Sequence, residues 1–413
     1  MRDQRLQRIQ CAAGSQLQRQ PRLQSVQQVT RDAGRYGCRR DGGGANNDGS
    51  AVEEHKLGDR AASVFGRHHG IVGSAVRTRT HKQRVLRVAT YNILTGGVRR
   101  ERLIRDVLAR VDADVVALQE VCDADSVREL AESLKMKVLI GEPSDPESTF
   151  HVAILSRLPV RTWRNRQHRG RMLRSHLHCE VETGGSALPV VGVHCVHLAA
   201  RFGERAKGEA RRMRELTAVL AGIEDEPPLP HLLLGDFNSL SPGDDVAATA
   251  FFRRYNKLRR AGLIVERDDG YMGPIPRGAG VDDSELDARW RAVGVDPRLD
   301  AGVPALPRVV GRLTTGLPVS PALDRFLGRF IERWTAERIA TLDYVDCFRR
   351  MHPRARGYTC ATWLPAARVD YVFATPDLAP NLTMCDVVGR RGRADRDVAA
   401  ASDHFPVVAE FDV

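Results

Sequence analysis

Ala401-Ser402-Asp403-His404-Phe405-Pro406, close to the C-terminus, sets a carboxylate and an imidazole side by side just before a final apolar run at 407–411. Alone, the pair decides little. Working upstream, Gly235-Asp236-Phe237-Asn238, Val196-His197-Leu198, Leu118-Gln119-Glu120 and Tyr91-Asn92-Ile93 each follow an apolar run, and Val369-Asp370-Tyr371 opens one. Short apolar runs bounded by polar residues read as buried strands. All six motifs therefore set polar side chains at strand ends, where the backbone is stiff and a side chain can emerge.

The side chains are of three kinds: carboxylates, amides and imidazoles. Cleaving a phosphate ester needs a divalent cation held by hard oxygens, an oriented water, and donors for the charge that develops on the phosphorus oxygens. Asp236 and Asn238 flank Phe237, so in extended geometry both point one way while the ring enters the core. Asp370 and His404 read as a pair in which the carboxylate fixes the imidazole tautomer. Each residue also has a plainer reading: Glu120 as a solvated acid, Asn92 as a turn cap, Asp236 and Asn238 as an Asx turn, His197 as a buried histidine with its bonds made.

The order of the six motifs resembles the endonuclease/exonuclease/phosphatase superfamily, the DNase I-like metal-dependent phosphoesterases, over about residues 85–413. The resemblance implies an α/β fold, a four-layer sandwich of two stacked mixed β-sheets flanked by helices. It implies Mg²⁺ or Mn²⁺, with Glu120 as the principal ligand, Asp403 directed at the metal, and Asn92 offering its amide to metal, water or phosphate. Asp236 would orient or deprotonate the attacking water and Asn238 would hold a phosphate oxygen or fix Asp236. Asp370 would fix His404, which contacts the phosphate as base or charged donor, and His197 would donate to a non-bridging or leaving-group oxygen.

His176, His178, Cys179, His194 and Cys195 invite a zinc reading, but alternation sets His194 and His197 on opposite faces and no ligand pair has helical or knuckle spacing. Cys179 and Cys195 are expected to be small apolar fillers. The arginines of 161–174 read as a basic loop, either solvated or steering a phosphorylated substrate. No phosphate-binding loop, dinucleotide fingerprint or serine nucleophile elbow occurs.

Composition bounds the rest. The chain has 413 residues and a net charge of +11, but residues 1–84 carry 16 Lys/Arg against 7 Asp/Glu and so hold +9 of it. The remainder is nearly neutral, which weakens any argument for nucleic-acid binding by counterion release. Nucleic acid stays an alternative partner to a smaller phosphate ester. The eight cysteines are scattered without a C-x-x-C pair, which points to a reduced, cytoplasmic protein; no apolar run is long enough for a membrane helix, and a monomer is expected.

Residues 1–84, rich in Gln, Arg and Gly, carry too little apolar surface to offset their ordering entropy. A disordered basic extension, or translated sequence upstream of the true start, is expected there. The catalytic domain is expected at 85–413, with strands at 85–91, 114–118, 151–156, 176–182, 189–197, 231–234, 369–374, 382–388 and 407–411. Helices are expected at 99–111, 126–135 and 204–220. Residues 241–335 break the rhythm and read as an inserted lid or subdomain, with a helical pattern over 322–340. The expected activity is metal-dependent hydrolysis of a phosphodiester or phosphomonoester; a binding or scaffolding protein that kept the fold without the catalysis is the alternative.

Overall fold

The computed structural model describes residues 84–200, 206–278, 280–389 and 393–413; all but the last residue of the basic segment 1–84 lies outside them. The strands, in chain order, are β1 (Val85–Asn92), β2 (Val115–Val121), β3 (Lys137–Gly141), β4 (His151–Ser156), β5 (Val160–Arg166), β6 (His176–Glu182), β7 (Val190–His197), β8 (His231–Asp236), β9 (Ile264–Glu266), β10 (Tyr271–Pro274), β11 (Leu306–Pro307), β12 (Val345–Asp346), β13 (Asp370–Ala374), β14 (Leu382–Val387) and β15 (Val407–Asp412). Two six-stranded sheets form, ordered β14-β15-β1-β2-β4-β3 and β12-β13-β8-β7-β6-β5.

Each sheet has one parallel pair at its centre, β1 with β2 and β7 with β8. Parallel neighbours need a crossover, supplied by helices Glu101–Val111 and Ala206–Glu224. The four central strands therefore all end at one edge of the molecule. Between the sheets lies a dry layer built by period-2 alternation: Leu86 and Val88 from β1, Val115 and Ala117 from β2, Val193 and Cys195 from β7, Leu232 and Leu234 from β8. Cys179 and Cys195 sit in this layer as free thiols.

Helices cover both outer faces. Ile104, Val107, Leu108 and Val111 form an i, i+3, i+4, i+7 stripe on one helix and pack on Ala89, Tyr91, Val116 and Leu118. Leu216 and Val219 do the same over Val196, Leu233, Phe237 and Tyr371. The expected four layers are present. No helix among the described residues is long and apolar enough to cross a membrane.

Residues 241–335 carry the three-stranded sheet β11-β10-β9 and helices Ala248–Arg260, Asp283–Ala292 and Pro321–Gly328. They enclose their own core of Tyr255, Leu258, Met272, Leu286 and Trp290, with Trp363 from the loop before β13 packed against it. Both ends are clamped by one buried carboxylate. Glu209 Oε1 accepts from Ser239 Oγ and from the Thr335 N–H, each at 2.8 Å, while Oε2 accepts from Arg212 Nε at 2.8 Å. Arg368, also buried, adds a second anchor through Asp244 at 2.9 Å and Asp346 at 2.6 Å.

Several local expectations change. Of the arginines read as a basic loop at 161–174, Arg161, Arg164 and Arg166 lie on the edge strand β5, with Arg164 and Arg166 paired to Glu226 at 3.3 and 2.6 Å; charged side chains on an edge discourage further pairing. The pattern over 322–340 is two helices, Pro321–Gly328 and Trp334–Ala340, broken where Arg333 turns inward to donate to the Ser241 carbonyl at 2.6 Å. Strand β3 and the helix Arg393–Ala401 are present in addition to the expected elements.

The outer face of β6, β7 and β8 holds an array of histidines. His176 Nε2 lies 3.0 Å from His194 Nδ1, and His168 Nε2 lies 3.3 Å from His176 Nδ1. His178 stacks on its cross-strand partner His194 at 4.2 Å between ring centroids, and His231 meets Tyr344 Oη at 2.6 Å. Burial holds all five imidazoles below the ordinary value, His178 down to about 4; the positive charge of neighbouring rings and arginines adds to this at His168, His176, His178 and His194, whereas at His231 the Leu229 carbonyl and Asp377 oppose it. Glu226, 3.6 Å from His178, offsets this only in part.

The unfolded chain protonates these rings near pH 6.5 and the folded chain does not, so their contribution to stability is complete above that pH and falls as the pH drops toward 4. His178 alone accounts for on the order of 1–2 kcal/mol by pH 5. Thermal melts should show a lower melting temperature at pH 5 than at pH 7.5, and His178→Gln should flatten that dependence; an unchanged slope in the variant refutes the assignment.

Candidate active site

The polar motifs meet where the central strands end. Asn92 closes β1, Glu120 is the penultimate residue of β2, His197 closes β7 and Asp236 closes β8. β13 runs antiparallel to β8 and begins at Asp370, in register with Asp236. His404 precedes β15, which is antiparallel to β1. The inner faces continue their alternation into this edge, from valines and leucines through Thr90, Gln119 and Cys195 to Asn92, His197 and Asp236. Gln119 bridges the sheets there, its amide 3.4 Å from Cys195 Sγ.

Two backbone features aim the side chains. Glu120 has φ 59°, and the β2–β4 register slips between Leu118 and Val121; a bulge of this kind re-aims a side chain that alternation would place elsewhere. Gly235 tolerates nothing larger, because a Cβ there would lie 1.9 Å from the Val196 carbonyl oxygen. The close approach of β8 to β7 brings Asp236 beside His197, with His197 Nε2 3.5 Å from Asp236 Oδ2.

Asp236 is the hub. Its Oδ1 accepts from the Asn238 N–H at 2.9 Å, and its Oδ2 accepts from the side-chain amides of Asn92 at 3.0 Å and Asn238 at 3.1 Å. The Asn92 amide also donates to Glu120 Oε1 at 3.1 Å, while its own oxygen accepts from the Leu94 N–H. In this arrangement Asn92 couples Glu120 to Asp236 through its NH₂, and its oxygen is already engaged. Asn238 similarly divides its amide between Asp236 and the Leu198 carbonyl at 3.0 Å.

Asp370 Oδ2 lies 2.8 Å from His404 Nδ1, and His404 Nε2 lies 3.9 Å from Asp236 Oδ2. Burial disfavours charge on His404, but Asp370 and the neighbouring acidic groups outweigh it and hold the imidazolium well above the ordinary range. Burial followed by the charge of Asp370 pushes Asp236 up to about 7. His197 goes the other way: burial and then Arg174 hold it well below the ordinary value, and neither ring nitrogen has a hydrogen-bond partner. A buried imidazole with both nitrogens unsatisfied is costly, and it leaves a neutral donor free for an incoming group.

Glu120 Oε2 accepts from the Thr95 N–H at 2.8 Å. Asp403 is 6% exposed; burial raises its carboxyl, and the charge of Glu120 adds to this. The oxygens of Glu120 and Asp403 are of the kind that a hard divalent cation takes, and a positive ion would relieve the penalty that burial and the Glu120 charge place on Asp403.

The motifs alone did not point to three positioning residues. Ser402 Oγ donates to the Asn92 carbonyl at 2.7 Å and accepts from the His404 N–H at 3.3 Å, tying the first motif to the last; its place inside the opening hexapeptide was the available signal. Arg100, 2% exposed, donates to the carbonyls of Ile93, Leu94 and Ala401, which pins both site loops together. Gly302, in the 3₁₀ turn Pro297–Gly302, packs so tightly on Asp403 that a Cβ would come within 2.4 Å of its Oδ2. Residues 241–335 thus form one wall of the site.

The profile of the Endonuclease/Exonuclease/phosphatase family matches residues 89–404. A stretch of 155 residues is 30% identical to the uncharacterized protein YbhP of Escherichia coli K12, covering 33% of this chain and 57% of that protein; the chain thus matches little more than half the length of this curated relative. Among solved structures, an AP endonuclease from Archaeoglobus fulgidus superposes with a TM-score of 0.47 at 16% identity, over 79% of this chain and all of the other. An endonuclease/exonuclease/phosphatase from Beutenbergia cavernae DSM 12333 gives 0.46 at 20% identity, over 80% of this chain and 72% of the other.

The Gly302 contact yields a direct test. Gly302→Ala must displace either the turn or the Asp403 carboxylate, so the variant should keep its circular dichroism spectrum yet lose roughly 1–3 kcal/mol of stability, the usual cost of overpacking, read as a lower melting temperature. An unaltered melting temperature would show that the turn does not constrain Asp403.

Proposed function

The chain belongs to the Endonuclease/Exonuclease/phosphatase family, and from that premise we propose that it hydrolyses a phosphate ester by direct in-line attack of water, assisted by Mg²⁺ or Mn²⁺. The observation that carries the reading is the convergence of one ligand atom each from Asp236, Asp370 and His404 within 4.8 Å, with Asn92 bridging from Asp236 to Glu120.

Glu120 and Asp403 would hold the cation, with Asn92 fixing Glu120 in place. Bound there, it would supply charge neutralisation at the non-bridging oxygens. Asp236, held by three N–H donors, is placed to orient a water and take its proton as the oxygen attacks phosphorus. Asn238 keeps Asp236 in that rotamer. His404, charged and fixed by Asp370, donates to a phosphate oxygen; neutral His197 offers a second donor, and either can protonate the alkoxide as its bond to phosphorus breaks. Such donors act strongly because the site excludes water.

The wall formed by the Pro297–Gly302 turn supports a substrate with a compact group beside Asp403, a phosphodiester or a phosphomonoester. Nucleic acid remains the second substrate class, to be separated from small diesters by a panel of plasmid, single strands and RNA.

Hydrolysis of bis(p-nitrophenyl) phosphate should require Mg²⁺ or Mn²⁺ and stop with EDTA. Asp236→Asn should lower kcat roughly 10²–10⁴-fold with little change in the Mg²⁺ requirement. Glu120→Gln should chiefly raise that requirement. Turnover indifferent to EDTA would refute the cation's role, and identical phenotypes for the two variants would refute the division between them.

A further inference from the structure

Cys360 stands at the mouth of the site without a part in the chemistry above. It lies in the loop before β13, and its backbone forms an isolated antiparallel bridge with His404. The Phe405 N–H donates to the Thr359 carbonyl at 2.8 Å, and the Thr362 N–H to the Asp403 carbonyl at 2.8 Å. Bonds made by the flanking residues leave Cys360 and His404 as a closely spaced pair whose side chains share one side. Sγ of Cys360, a carboxylate oxygen of Asp403 and a ring nitrogen of His404 consequently lie within 4.8 Å of one another.

We propose that Cys360, Asp403 and His404 form a zinc site that overlaps the catalytic centre, and that Zn²⁺ bound there switches the site off. A thiolate, an imidazole and a carboxylate whose ligand atoms lie within 4.8 Å of one another are a three-ligand set of the kind that zinc accepts in tetrahedral geometry, with a fourth position for water. Mg²⁺ prefers six oxygens and has little affinity for sulfur. The same pocket therefore offers two partly exclusive ligand sets: oxygens of Glu120 and Asp403 for the hard ion, and the sulfur of Cys360 with Asp403 and His404 for the softer one.

Supporting groups are already in place. Asp370 holds His404 through Nδ1 at 2.8 Å, the carboxylate–histidine arrangement that orients imidazole ligands at zinc centres. Ser402 Oγ stands 3.4 Å from Asp403 Oδ1, and Gly302 closes over the other side of that carboxylate. Zinc would engage Asp403 and His404 together, removing one group proposed to hold Mg²⁺ and one proposed to contact the phosphate. Inhibition follows from shared residues and needs no movement of the fold.

The juxtaposition stands apart from the reaction proposed above, and Co²⁺ as a spectroscopic substitute tests it without turnover. Metal-free protein titrated with Co²⁺ should develop an intense near-ultraviolet thiolate-to-metal band, displaced by equimolar Zn²⁺ and absent in Cys360→Ser. Zn²⁺ should also inhibit Mg²⁺-dependent hydrolysis of bis(p-nitrophenyl) phosphate. Cys360→Ser should keep Mg²⁺-dependent turnover within about threefold while needing at least about tenfold more Zn²⁺ for half inhibition.

No band in the wild-type protein overturns the proposal, whatever happens to the variant. So does a band that survives in Cys360→Ser, which would come from another thiol such as Cys122, two residues from Glu120. A band that depends on Cys360 in a protein that hydrolyses no phosphate ester would uphold the zinc site and count against the catalytic reading alone.

Discussion

Asp236, Asp370 and Asp403 are withdrawn from water, at 1%, 1% and 6% exposure, within one small volume at the end of the inter-sheet core. Burying carboxylates is expensive unless each finds compensation, and removing one partner of a buried pair leaves the other charge exposed to a low dielectric. The surroundings are arranged around that constraint. Asp370 has the His404 imidazolium, Asp236 has three N–H donors, and Asp403 has the charges of His404 and Arg100. These contacts come from segments far apart in the chain, which is why the central strands must finish together and why the loops after β1 and before β15 are pinned to one another by Arg100.

Much of this was legible in the sequence because strand ends are legible. An apolar run that stops at a polar residue marks both an element and an emerging side chain, so Asn92, Glu120, His197, Asp236, Asp370 and His404 could be placed from pattern alone, with Asp403 and Asn238 carried by their motifs. What could not be read depends on contacts across the fold. Arg100 looks like any surface arginine until three carbonyls close around it. Gly302 is one of 36 glycines, and only its apposition to Asp403 distinguishes it. The edge strand β5 alternates charge with Trp163 and Thr162 and lacks the apolar density that marks a buried strand, so it reads as loop. Over 322–340 the helical period continues through the sequence, but the first helix ends at Gly328 and the second begins at Trp334, just after Arg333 reaches the Ser241 carbonyl.

The histidine array and the active site show opposite solutions to buried imidazoles. On the outer face of the second sheet, rings surrounded by rings and arginines are kept neutral. At the strand ends, His404 is kept charged by carboxylates, while His197, a few ångströms away, is neutral. The same residue type is thus held neutral in two places and charged in a third, and burial weighed against the neighbouring charges decides which.

The Glu209 clamp has a topological consequence. Because Ser239 and Thr335 both bond to one oxygen of Glu209 at 2.8 Å, the chain leaves the sandwich and re-enters it through a gap only a few ångströms wide. Everything between those points enters and leaves through that one doorway, whatever contacts it makes with the sandwich beyond it. Segments of quite different length could be spliced there at nearly the same closure entropy, which grows only logarithmically with length, so the doorway is a natural seam at which one wall can be exchanged for another while the strand ends beneath keep their register.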